Sequence, residues 1–166
     1  MWKAGEHEAV DGECERLFAL AAWLDDQGGS HVPSDPQSVL AAACLDQTLE
    51  HQKAVLLLTR ACLHGAAHAL GRGIYESFVR GMWLYRCASV VQVAAFEAQD
   101  QKTLPHLKDS SKFVADIGAA LEGNAVPSKF RVDYWRILCD FAHTGPMQAK
   151  RRLGFEGSPA AMLQKR

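Results

Sequence analysis

Apolar residues recur through most of this chain at the spacing of an α-helix. The clearest example lies near the start, where apolar side chains fall on one helical face: Cys14, Leu17, Phe18, Ala21 and Leu24. Intervals of three, four, seven and ten residues are typical of an amphipathic helix. No stretch of the sequence alternates apolar and polar residues as a half-buried strand would. We therefore expect an all-α fold with almost no β-structure.

Turn residues and capping signals divide this pattern into about six helices. We predict helices over about 6–26, 36–63, 66–87, 90–100, 107–122 and 127–143. Residues 34–37 carry two overlapping start signals, a capping box and an Asp-Pro pair, and residues 89–92 carry a further capping box. The connections between them favour an up-and-down bundle of about five to seven helices.

The helix predicted over 66–87 is apolar on more than one side, which is typical of a helix in the middle of a bundle. We expect Phe78, Trp83 and Leu84 to lie in the core. Glycine weakens a helix by about 1 kcal/mol relative to alanine. We therefore expect the three glycines of this helix to allow close approach of a neighbouring helix: Gly71, Gly73 and Gly81.

Composition and charge fit one folded domain. Of the 166 residues, 48% are hydrophobic and 22% are charged, which excludes a wholly disordered chain. The net charge of -1 argues against a generally basic nucleic-acid binder. Acidic residues predominate over 1–27 and basic residues over 126–166. We predict a single helical bundle over 1–146 and a basic tail or short terminal helix over 147–166, where RNA or an acidic protein partner could bind.

The five cysteines have no C-x-x-C spacing and stand in apolar, helix-like surroundings. This pattern predicts free thiols rather than a disulfide framework or a zinc site. The sequence begins without the apolar segment of a signal peptide and contains no apolar run long enough to cross a membrane. We therefore expect a cytoplasmic protein with no membrane partner and no cofactor.

Polar residues four apart run along the helix predicted over 66–87: His64, His68, Arg72, Glu76 and Arg80. Residues at this spacing are neighbours on a helix surface, so the charged members can form a ladder of ion pairs. Because buried charges must be paired, the ladder either fixes the position of the helix or lines a polar cleft. The two histidines lack the Glu and the third ligand of a zinc site, and we predict no metal.

Arg136, Asp140 and His143 lie on the helix predicted over 127–143. Seven residues turn a helix by about 700°, so Arg136 and His143 project from one face, about 10.5 Å apart along the axis. In one interpretation Arg136 pairs with Asp140, and His143 interacts with the helix dipole. In the other, Arg136 and His143 hold one phosphodiester, with the imidazole as general acid or base and the guanidinium stabilising charge on the phosphate.

Residues 72–84 read Arg-Gly-Ile-Tyr-Glu-Ser-Phe-Val-Arg-Gly-Met-Trp-Leu. This segment resembles the motif Arg-Pro-x-x-Glu-x-x-x-Arg-Gly-x-Trp-Leu of a bacterial family of all-helical proteins. The later His143-Thr-Gly145 resembles the His-Gly-Gly turn of the same family. That family in turn resembles the HEPN superfamily, whose helical bundles occur in toxins, phage-defence effectors and CRISPR-associated nucleases. The resemblance covers about residues 35–153.

The resemblance implies a HEPN-like homodimer with an R-x4-6-H motif near the end of a late helix. Arg136 and His143 match that motif as catalytic candidates, with Arg72, Glu76 and Asp140 as supporting polar groups. Many HEPN-like domains bind a partner or regulate without catalysis. We therefore expect a module that binds a partner or a nucleotide without catalysis. The alternative is a metal-independent homodimeric endoribonuclease of the toxin–antitoxin or phage-defence type.

Overall fold

A computed structural model of the chain describes residues 4–28, 34–105, 110–121, 126–143, 145, 146 and 149. Over these residues it contains six helices and no strand: α1 (Ala4–Gly28), α2 (Pro36–Arg60), α3 (His64–Arg86), α4 (Val90–Glu97), α5 (Ser111–Ala120) and α6 (Val126–Ala142). The expectation of an all-α bundle is confirmed. The tail predicted over 147–166 lies outside the described residues apart from Ala149.

Two helix starts follow the capping signals in the sequence. The Asp35 carboxylate accepts a hydrogen bond from the backbone N–H of Ser38 at 2.8 Å, which caps α2 and holds the pKa of Asp35 below its ordinary value. At α4, Gln92 Oε1 accepts from the Ser89 N–H at 2.9 Å, and the Ser89 hydroxyl accepts from the Gln92 N–H in return. The capping box predicted over 89–92 is therefore confirmed.

Gln37 ties the start of α2 to the end of α3 instead of closing a capping box over 34–37. Its Nε2 donates to the carbonyl oxygen of Leu84 at 2.6 Å and to that of Ala88 at 3.3 Å. The last carbonyls of a helix have no partner within the helix, so the bond to Leu84 satisfies one of them. The bond to Ala88 satisfies a carbonyl in the connection between α3 and α4.

α3 is the central helix and packs against α2, α5 and α6. Trp83 and Leu84 are buried as expected. The Trp83 ring lies 4.4 Å from the Phe113 ring of α5, and its Nε1 donates to Asp116 Oδ2 at 3.0 Å. The indole therefore fills the core between α3 and α5 without leaving its polar atom unpaired.

The prediction that Phe78 lies in the core is wrong, because the residue is 36% exposed. Phe78 stands one to two turns from Gly71 and Ile74 on α3 and lines with them an open apolar cavity of about 250 Å³. Phe130 of α6 also lines this cavity. α3 is apolar nearly all round, and periodicity alone does not show which side a neighbouring helix covers. On α1, Leu17 is also exposed, although Cys14 on the same predicted face is buried.

Two glycines of α3 allow α2 to lie close against it, as predicted. A Cβ on Gly81 would stand 2.8 Å from Leu45 Cγ and 3.2 Å from the carbonyl oxygen of Ala41. A Cβ on Gly73 would stand 3.0 Å from Nδ1 of His51. The helix propensity lost at these positions is therefore offset by close packing between α2 and α3.

We predict that Gly81→Ala lowers the free energy of unfolding by about 1–2 kcal/mol, because overpacking against the α2 backbone outweighs the gain in helix propensity. Gly12→Ala is the matched control, since a Cβ on Gly12 meets nothing within 4 Å. It should stabilise the protein by about 0.5–1 kcal/mol. Urea unfolding of both variants checks the prediction, and equal stabilisation by both would contradict it.

Candidate functional site

The ladder predicted on α3 is present as a chain of ion pairs centred on Glu76. Nε of Arg72 donates to Glu76 Oε1 at 2.8 Å, and Nη1 of Arg80 donates to Oε2 at 3.3 Å. The exposed fractions of the three side chains are 25% for Arg72, 17% for Glu76 and 27% for Arg80. Most of each side chain is therefore removed from water. Each charge is stabilised by its ion-pair partner rather than by solvent.

This ladder carries an excess of positive charge, because one carboxylate serves two guanidinium groups. Arg80 also faces α2, where burial raises the pKa of the Cys44 thiol and the positive charge of Arg80 acts in the opposite direction. Arg72 lies at the other end of the ladder. Because Arg80 faces α2, the excess charge favours an anion at the Arg72 end of the ladder.

The structure brings His143 to the Arg72 end of the ladder. Nη1 of Arg72 lies 2.5 Å from Nε2 of His143, although the two residues are 71 positions apart. Since a guanidinium only donates hydrogen bonds, Nε2 is the acceptor and the ring proton is on Nδ1 in this arrangement. His143 is exposed and follows the last turn of α6, where its backbone N–H donates to the carbonyl oxygen of Cys139 at 3.0 Å.

Trp135 provides a further contact for Arg72 that the sequence analysis missed. The Arg72 Cζ lies 5.1 Å from the centroid of the indole ring, and the Arg131 Cζ lies 4.3 Å from it. Arg131 in turn donates to the Ser110 hydroxyl at 2.9 Å. The spacing of Arg131 and Trp135 on one face of α6 was a local signal for their contact. The approach of Arg72 from α3 had no such signal.

α6 runs antiparallel to α3 and is held against it by apolar contacts. The His68 ring lies 4.7 Å from the Phe141 ring, and a Cβ on Gly71 would stand 2.9 Å from Leu138 Cδ2, as expected for a close approach. Nδ1 of His68 lies 2.6 Å from the carbonyl oxygen of His64. Within the described ranges no three histidine, cysteine or acidic side chains are grouped to hold a metal ion.

Tyr75 anchors the other end of α6. Its hydroxyl donates to the carbonyl oxygen of Pro127 at 3.1 Å, and its ring lies 5.3 Å from that of Phe130 and 5.9 Å from that of Trp135. Burial raises the pKa of Tyr75, while the charge and hydrogen bond of Arg131 act in the opposite direction. These contacts fix the position of Trp135 and therefore of the Arg72 guanidinium.

Arg136 and Asp140 lie near the end of α6 in different surroundings. Arg136 is exposed on the same side of α6 as His143, and among the residues that the structure describes it forms no ion pair with Asp140. The Asp140 carboxylate lies over Gly145, where a Cβ would overlap it, and the Gly145 N–H donates to the Asp140 carbonyl oxygen at 2.7 Å. Asp140 thus shapes the turn after α6, and Gly145 leaves room for it.

Residues 45–165 match a protein family described as a family of unknown function, DUF6988. The chain belongs to this family. In this DUF6988 protein the matched range includes the ladder of α3 and the two residues of the α6 end that contact Arg72, namely Trp135 and His143. No curated protein and no solved structure matches the chain. None of the helices in the described ranges has the length and apolar character needed to cross a bilayer.

We predict that Glu76→Gln lowers the free energy of unfolding by about 1–3 kcal/mol, because it leaves two partly buried guanidinium groups without their carboxylate. Glu13→Gln is the matched control, since its ion pair with Arg16 is exposed and surface pairs contribute little. Urea unfolding checks both variants. A Glu76→Gln protein as stable as wild type would show that the ladder contributes nothing to folding.

Proposed function

We propose that this protein binds the phosphate groups of single-stranded RNA, without catalysis, at the exposed end of α6. The observation that carries the proposal is the Arg72–His143 contact, on the side of α6 where Arg136 is exposed. Cationic or hydrogen-bonding groups from two helices are therefore available at one edge of the bundle. We name this edge, consisting of Arg72, Arg136 and His143, the α6 edge.

The chemistry of the α6 edge favours a phosphate over other anions. A guanidinium presents planar N–H donors that match two phosphate oxygens at once. Two arginines on neighbouring helices, Arg72 on α3 and Arg136 on α6, can contact successive phosphates of a strand, whereas a single small anion would engage only one.

Two further parts of the proposal are a homodimer, which the resemblance to HEPN proteins supports, and a cytoplasmic location, which the free cysteines support. In a dimer, two α6 edges would increase the number of phosphates that one RNA strand contacts, and avidity would raise the apparent affinity. Light scattering of the purified protein tests the dimer. A protein that is monomeric at all concentrations would contradict the homodimer, but it would not contradict the binding site proposed for one protomer.

We predict that wild type binds a fluorescent oligoribonucleotide and that Arg136→Gln weakens binding by about 10-fold, the effect expected from losing one charge-assisted contact. Arg86→Gln is the control. Arg86 is exposed like Arg136 but lies 14 residues from Arg72, about 21 Å along α3. Fluorescence anisotropy measures the three affinities. Absence of binding by wild type, or equal weakening by both variants, would contradict the proposal.

A second candidate function is cleavage of the bound RNA. It is favoured by the exposed imidazole of His143, which lies beside the position of a phosphate held by Arg72. In this reaction a ribose 2′-hydroxyl attacks the adjacent phosphorus, the 5′-oxygen leaves, and a cyclic 2′,3′-phosphate forms. His143 would move the proton, and Arg136 would hold the phosphate. Such a ribonuclease would fit a toxin or a phage-defence effector.

If the protein cleaves RNA, the activity should persist in EDTA and His143→Ala should lower the rate by about 10²–10⁴-fold, the usual contribution of a positioned acid or base. Incubation of a mixed RNA pool with folded wild type and variant measures this. Equal cleavage by both would indicate a contaminant. Binding without cleavage by wild type would exclude this second function and support the first.

A further inference from the structure

Arg72 is restrained from three directions. Its Nε donates to Glu76 at 2.8 Å, its Nη1 lies 2.5 Å from the His143 ring, and its Cζ lies 5.1 Å from the centre of the Trp135 ring. A long side chain that is already ordered loses less conformational entropy when a ligand binds. The guanidinium is therefore placed in advance at the α6 edge.

Arg72 also retains donors for a ligand. A guanidinium has five N–H groups, and the contacts with Glu76 and His143 use one each. Among the described residues, no further acceptor bonds to Arg72. With 25% of its side chain exposed, Arg72 is partly accessible from solvent.

Arg136 differs from Arg72 in how far neighbouring residues restrain its side chain. It is exposed, and no described residue accepts a hydrogen bond from it. Binding through Arg136 must therefore order an exposed long side chain, which opposes association. Arg72 on α3 therefore loses less conformational entropy on binding a ligand than Arg136 on α6 does.

We infer that Arg72 is the principal phosphate-holding residue of the α6 edge and that Glu76 and Trp135 are its positioning residues. This inference rests on the proposed function. A phosphate oxygen bound to the Arg72 guanidinium lies beside the His143 ring, because the two side chains are already in contact. The pair that recognises the ligand is thus formed by α3 and α6 together, rather than by α6 alone.

The test compares Arg72→Gln with Arg80→Gln in binding the same fluorescent oligoribonucleotide. The two arginines are matched, since each pairs with Glu76 and their exposed fractions are 25% and 27%. Arg80 lies about 12 Å further along α3 and away from His143. We expect Arg72→Gln to weaken binding at least 10-fold, more than Arg136→Gln does, and Arg80→Gln to change it less than 2-fold.

The salt dependence of binding separates contact from positioning. Losing one phosphate contact to a single strand lowers the slope of log K against log salt by about 0.7. We expect this decrease for Arg72→Gln. For Trp135→Phe we expect about 3-fold weaker binding with the slope unchanged, because the phosphate contact remains but is less well positioned. Arg72→Lys, which keeps the charge, should retain the slope and bind with intermediate affinity.

The outcomes distinguish this inference from the function on which it rests. If wild type does not bind RNA, the proposed function fails. If wild type binds and Arg72→Gln binds as well as Arg80→Gln, the inference is overturned while the proposed function stands. Thermal unfolding of each variant comes first; if Arg72→Gln does not fold, the comparison of Arg72→Lys with Arg80→Lys decides, and equal affinities of those two would also overturn the inference.

Discussion

The carboxylate of Glu76 is the group on which the polar part of this structure depends. It lies on the central helix, 17% exposed, and accepts hydrogen bonds from an arginine one turn before it and another one turn after it. Charges in such surroundings persist only when they are paired. The pairing fixes the direction of Arg72, and Arg72 meets the end of α6. A single carboxylate thereby connects the interior of the bundle to the exposed α6 edge.

Close helix packing gives this carboxylate its surroundings. Gly73 and Gly81 let α2 lie against one side of α3, and Gly71 lets α6 lie against another. The indole of Trp83 fills the core on the side of α5. Because these contacts are short, α6 is held at a defined position, and Trp135 and His143 reach Arg72 from it. The packing of apolar groups thus determines which polar groups meet.

Local features of the fold were predictable from the sequence, and contacts between helices were only partly so. The six helices follow from apolar spacing and from caps such as Asp35 and Ser89, because both signals lie within a few residues. The burial of Trp83 also followed, whereas Phe78 was misplaced because an all-round apolar helix does not reveal its covered sides. Gln37 fitted a local capping box, but its bond to the end of α3 comes from tertiary structure.

The candidate site shows the same division. The Arg72–Glu76–Arg80 ladder and the shared face of Arg136 and His143 follow from helical geometry alone. The meeting of Arg72 with His143 does not, because it depends on how antiparallel α3 and α6 are placed along each other. Because of this contact, the candidate site consists of residues from two helices rather than of a motif within α6 alone.

The ring nitrogens of His143 give the most direct test of this account. Long-range ¹H–¹⁵N NMR spectra at pH 8 distinguish a ring protonated on Nδ1 from one protonated on Nε2. The Arg72–His143 contact predicts a proton on Nδ1 and an accepting Nε2, with the His143 signals changed by Arg72→Gln and unchanged by Arg80→Gln. A ring protonated on Nε2, or signals insensitive to Arg72→Gln, would contradict it.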